Sequence, residues 1–193
     1  MPLKKSITRK KLHLRDIQCE GYSRDDGLWD IEAHIVDSRT YDCGYDEDFR
    51  DTIKAGDAVH DMWLRLTIDL DFLIHDVQAI SDQTPFGICT SAAKIMQKLI
   101  GLQIKPGWME SVRERIGSET SCTHVMSLLP VISATAYQTM HVALREKQLQ
   151  QADDQKPMIL DTCLALSSDG EVVRKRWPEF YTSPKSKTQE DSS

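Results

Sequence analysis

The chain predicts an α+β fold, an antiparallel sheet covered by helices, and three observations carry that reading. Alternating apolar and polar residues fill the first half, a helical period fills the second, and the two do not interleave as they would in a parallel βαβ fold. The 193 residues, 40% hydrophobic and 28% charged, suffice for one globular core and are too few for two comfortable ones. The expected organisation is a basic N-terminal arm over 1–15, a single α+β domain over 16–182 and a disordered tail over 183–193.

The arm carries Lys4, Lys5, Arg9, Lys10, Lys11 and Arg15 and reads as a solvated segment. The stretch after it, with Cys19, and the later one with Cys43 read as irregular. Asp25-Asp26-Gly27 is a turn signal, and the run from Leu28 to Asp37 that follows has the composition of a strand. Met62, Leu64, Leu66 and Ile68 alternate with Trp63, Arg65, Thr67 and Asp69, which is a strand with one buried face. Leu73 to Ile80 gives another, and the Asp69-Leu70-Asp71 link is short enough for an antiparallel hairpin. From Cys89 to Ile100 the residues Ala92, Ala93, Met96, Leu99 and Ile100 form one helical stripe closed by Gly101. Gly107 to Ile116 spaces Trp108, Val112 and Ile116 one turn apart ahead of Gly117, as an amphipathic helix would. From Thr123 to about Gln148 a long helix is expected, kinked or interrupted by Pro130. Residues 150–157 read as a polar loop, and 158–166 with 170–178 as a closing segment or strand pair.

A formal charge of −6 disfavours a general nucleic-acid binder, which needs a basic face to displace counterions from phosphates. No apolar stretch approaches the roughly 18 residues of a membrane span, and the basic N-terminus lacks the apolar core of a signal peptide. The expected location is therefore the cytoplasm, where five cysteines, an odd count, read as free, buried or metal-bound rather than as a disulfide framework. No G-x-S-x-G, G-x-G-x-x-G or G-x-x-x-x-G-K-[ST] string is present, which disfavours serine hydrolases and the usual nucleotide sites.

What the chain does offer is thiols and imidazoles at the ends of elements. Cys89 opens the first expected helix, where unpaired N–H groups would favour a thiolate, either as ligand or as nucleophile. Cys122-Thr123-His124 opens a later helix and puts two donors one residue apart. His60 precedes a strand, with Asp57 or Asp61 placed to orient its ring. Cys163 is a further candidate ligand. For each of these a bland role, as a core cysteine or a surface histidine, stands beside the functional one. His34 and His75, on alternating strands, read as surface or sheet-packing residues.

Over the span from about Arg9 to Tyr181 the chain resembles a mainly bacterial family of domains of unknown function. The resemblance is carried by Asp26-Gly27-Leu28-Trp29-Asp30, Gly56 through His60-Asp61-Met62, Cys89, Leu99-Ile100-Gly101-Leu102, Cys122-Thr123-His124 and Asp161-Thr162-Cys163, in that order. Ser121 stands where that family usually has glycine. The order of strands, a cysteine at a helix start and a late Cys/His pair is also similar to iron–sulfur scaffold proteins of the NifU/IscU type. That likeness implies a ligand set with His60 in the first position, Cys89 in the second and Cys122 or His124 in the third.

Two functional expectations follow. The first is a metal-binding accessory protein that holds zinc or an iron–sulfur cluster through His60, Cys89, Cys122, His124 and Cys163, in contact with a partner protein. The second is a small cofactor-independent enzyme, a lyase, isomerase, cyclase or hydrolase. In it His60 and His124, with Asp61 or Asp57, would act on a small apolar molecule in a pocket lined by Trp29, Trp63 and Trp108.

Overall fold

Four consecutive segments of the chain alternate between core and solvent, and in a computed structural model they form one antiparallel meander in the order β1-β2-β3-β4. The strands are β1 (His13–Ser23), β2 (Trp29–Arg39), β3 (Ala58–Ile68) and β4 (Ile74–Gln83). The structure describes residues 3–4, 7–45, 48–117, 119–150, 156–157 and 159–183. The expected tail lies outside them from residue 184 onward, as does most of the expected polar loop. The chain divides into two compact units, Met1–Glu146 and Lys147–Ser193, where the sequence predicts one domain over 16–182.

In the first unit the period of two decides what is buried. Ile31, Ala33 and Ile35 of β2 lie opposite Leu66, Leu64 and Met62 of β3, and all six are at most 1% exposed. Each of the five larger side chains contributes on the order of 1.5–3 kcal/mol by leaving water. The same core takes in Met96 and Leu99, which follow α1 (Ala92–Ile95), and residues of three further helices, α2 (Trp108–Ile116), α3 (Thr123–Met126) and α4 (Leu128–Gln150). Helices therefore cover one face of the sheet. The opposite face is polar, with Thr67 donating to Asp30 at 2.6 Å, Arg65 paired with Glu32 at 3.3 Å, and His34 stacked on Trp63 at 3.7 Å.

Several boundaries differ from expectation for physical reasons. The stretch read as irregular is β1, an eleven-residue edge strand in which only Ile17 and Cys19 pack against the core. Its alternation is therefore weak in sequence. His13 to Arg15, assigned above to the arm, begin this strand. The helix expected from Cys89 is a single α-turn between two 3₁₀ segments. The chain breaks at Ser127, between α3 and α4, so Pro130 falls in the first turn of α4, where backbone N–H groups have no intrahelical acceptor and the ring causes no kink.

In the second unit the expected strand pair is absent among the described residues. The segment instead forms a 3₁₀ turn at Leu164–Leu166, a helix, here labelled by its bounds Glu171–Arg176, and a 3₁₀ turn at Pro178–Phe180. Glu171 pairs with Lys175 four residues on, at 2.7 Å, a helical signature that the adjacent valines mask in sequence. Val173 is its buried anchor. Among the described residues no helix is long and apolar enough to cross a membrane.

One close approach has a measurable consequence. A Cβ at Gly21 of β1 would fall 2.7 Å from Thr139 Cβ and 2.6 Å from its Cγ2, so α4 crosses β1 where only glycine fits. Gly21→Ala is expected to cost about 1–3 kcal/mol by overpacking. Adding Thr139→Gly should recover part of that loss in thermal denaturation, whereas Thr139→Ala, which leaves the Cβ in place, should recover less.

Candidate metal centre

The core face of β2 reads Ile31, Ala33, Ile35 and then Asp37, so the apolar stripe ends in a carboxylate whose side chain is only 3% exposed. Strand register supplies its neighbours. Arg15 of β1 lies opposite Asp37 on one side and His60 of β3 on the other, forming a row across three strands. The pairing then slips at Asp37/Ser38, because Val59 is an extra residue on β3. His60 shares the core face with Met62 through the period of two, and the bulge lies just beyond it, at Val59.

Helix α3 closes the site from above. His124, in its first turn, stacks on His60 with ring centroids 3.5 Å apart and 24° between planes. Asp37 Oδ2 is 3.3 Å from His60 Nδ1 and 3.8 Å from His124 Nε2. Arg15 grips the same carboxylate as a fork, Nε donating to Oδ1 and Nη2 to Oδ2, both at 2.8 Å. His13 Nε2 approaches Oδ1 at 3.1 Å from the exposed side. Asp37, His60 and His124 together offer three ligand atoms, all within 4.8 Å of one another.

The electrostatics set each protonation state. Burial alone would push Asp37 up, but the Arg15 fork, helped by both imidazoles, holds it below the usual carboxylate range. Burial, and then the neighbouring His124, push His60 down to about 4, against the opposing pull of Asp37. His124 is lowered too, chiefly by burial. At neutral pH the site is thus one carboxylate and two neutral imidazoles, the forms in which these groups bind metals. His60 Nδ1 is buried and has no hydrogen-bond partner among the described residues, with Asp37 Oδ2 at 3.3 Å.

Of the residues expected from sequence, His60 and His124 come together and Cys122 sits beside them. Cys122 precedes α3, with Sγ 3.6 Å from His124 Nδ1 and 4.0 Å from Met62 Sδ. Asp61 does not orient His60. Being one residue on, it faces the opposite side of the sheet, where its Oδ1 is 2.7 Å from His34 Nε2. Asp57 is exposed in the preceding turn. Cys89 is not an activated thiol at a helix start. It lies in a 3₁₀ turn, and burial, then the proximity of Cys122, raise its pKa. Cys163 is exposed and belongs to the second unit. The three tryptophans do not share a pocket, because Trp108 is buried in the core while Trp63 is 39% exposed on the opposite sheet face. Asp37 and Arg15 were missed. The available signal was a carboxylate in phase with Ile31, Ala33 and Ile35, where alternation calls for an apolar residue.

Fold and site thus define an α+β protein with a buried carboxylate–imidazole cluster at one end of its sheet. The chain belongs to the family DUF2889, described as a protein of unknown function, whose model matches residues 13–138, a span that takes in every residue of the cluster. No curated protein and no solved structure matches it.

Proposed function

We propose that this protein binds a zinc-type divalent ion through Asp37, His60 and His124, with Cys122 beside the site as a further donor. The observation that carries the reading is the convergence of Asp37 Oδ2 on two imidazole nitrogens, one of which, His60 Nδ1, is buried without a hydrogen-bond partner among the described residues. The spacing fits. Zinc bonds of about 2.0–2.1 Å in a tetrahedron separate neighbouring ligand atoms by roughly 3.4 Å, and Asp37 Oδ2 lies 3.3 and 3.8 Å from the two imidazole nitrogens. Arg15 supports the set from behind, as outer hydrogen bonds to a ligating carboxylate commonly do.

An iron–sulfur cluster is favoured less, because clusters are held mainly by thiolates and this set has two imidazoles, a carboxylate and one adjacent thiol. Zinc bound by three protein ligands would supply a Lewis acid with a position left for water or a small molecule. A cytoplasmic location belongs to the same reading, since five cysteines, an odd count, do not suit a disulfide framework.

The test is metal content on untagged protein, with a visible spectrum, followed by zinc titration of the chelator-treated chain. About one zinc per chain is expected, with affinity reduced at least ~100-fold in His124→Ala. Folded wild-type protein that neither retains nor binds the ion would end this reading, and a visible band with matching iron and sulfide would replace zinc by a cluster.

A further inference from the structure

We propose a second binding site, for a small oxyanion, in the cleft between Arg50 and β4. The cleft measures about 230 Å³ and is lined by Phe49, Arg50, Ser81, Thr84 and Thr90, with Asp82 and Gln83 exposed at its rim. Two of its polar atoms, Arg50 Nη1 and Ser81 Oγ, are buried and have no hydrogen-bond partner among the described residues. Leaving such a group unpaired is costly, the more so when it is charged, so two in one cleft call for a ligand that accepts from both.

The surroundings narrow its chemistry. Arg50 Nη2 donates to the Ala58 carbonyl at 2.9 Å, which fixes the guanidinium and keeps Nη1 from turning out to water. The hydroxyls of Thr84 and Thr90 donate to the carbonyls of Phe86 and Gly87 at 3.0 and 2.9 Å, so their protons are already used. The free donors are therefore one cation and one hydroxyl. They match an oxygen anion, which a guanidinium binds with charge-assisted hydrogen bonds. Phe49 supplies an apolar wall, packed so closely over Gly87 that a Cβ there would be 3.1 Å from the ring. The volume is that of about eight waters, which limits the ligand to phosphate or a short organic carboxylate.

The cleft shares no residue with the candidate metal centre, and its ligand does not depend on a metal being bound. Register nonetheless places it at the same end of the sheet. Ser81 lies opposite Met62, which touches Cys122, and Arg50 is tied to Ala58, two residues from His60.

The experiment uses the full chain and follows its amide NMR spectrum during titration with sodium acetate and, separately, sodium phosphate, with sodium chloride as the ionic-strength control. Saturable shifts centred on Ser81, Thr84 and Gly87 are expected with acetate or phosphate and not with chloride, and whichever saturates identifies the oxyanion. Arg50→Gln should weaken binding about tenfold or more, and Ser81→Ala, which leaves the Arg50 anchor to Ala58 intact, several-fold. Shifts that grow linearly and equally with all three salts, or that centre on Arg15 and His13, would overturn the proposal. Saturable binding unchanged in both variants would do the same.

Discussion

Asp37→Asn is expected to lower stability by about 2–3 kcal/mol and to abolish zinc binding in the accessible range. The side chain sits on the core face at 3% exposure and accepts both arms of the Arg15 fork. An amide of the same shape keeps one acceptor oxygen and turns an NH₂ group toward the other arm of a guanidinium. Charge-assisted bonds of this kind contribute roughly 1.5–3 kcal/mol each. Breaking a fully buried pair would cost more, but the Arg15 side chain is 39% exposed and regains water. The same change removes the only carboxylate among the three ligand atoms. Urea denaturation of the metal-free protein reads the first effect and zinc titration the second. Metal-free Asp37→Asn as stable as wild type would show that the fork contributes nothing to folding, and undiminished zinc binding would remove Asp37 from the ligand set.

Acidification should destabilise the metal-free protein well before its carboxylates titrate. His60 is lowered from an ordinary 6.5 to about 4, so between those values the unfolded chain binds a proton that the folded chain refuses. Stability therefore rises with pH across that window and is lost as pH falls from about 6.5 to about 4, by up to about 3 kcal/mol. His124, lowered in the same direction, adds to the slope. Asp37 acts in the same direction over a lower window. With its folded pKa depressed, its contribution is present above the ordinary carboxylate pKa and disappears only as pH falls through the lower folded value. Denaturation midpoints between about pH 7 and pH 4 should fall steeply in wild type and much less in His60→Gln. A flat profile in wild type would mean that His60 is as easily protonated in the folded chain as in the unfolded one.

The sequence made the sheet legible wherever one strand face is buried and the other polar. Met62 to Ile68 reads unambiguously, because every second residue enters the core. It made β1 nearly invisible, since an edge strand with two residues against the core has little apolar signal to show. The site was half legible. His60 and His124 stand out as residue types near element ends, but their partner does not, because Asp37 was scanned as one more polar residue in a strand. Only the phase of the stripe distinguishes it, just as the phase of Met62 and Leu64 on β3 puts His60 and not Asp61 on the core face. Periodicity alone puts Cys89 at a helix start, whereas its segment winds as a 3₁₀ turn and lacks an accumulated dipole.

β1 is the outermost strand, and the residues that follow Cys19 on it are exposed. Edge strands open locally at a fraction of the cost of global unfolding. When this one detaches, Arg15 leaves with it, and Asp37 loses its fork while β2 and β3 stay paired. Opening of the N-terminal strand would thus strip the carboxylate of its outer support while leaving His60 in register across β2 and β3, so amide protection in β1 and the grip on an ion are expected to rise and fall together.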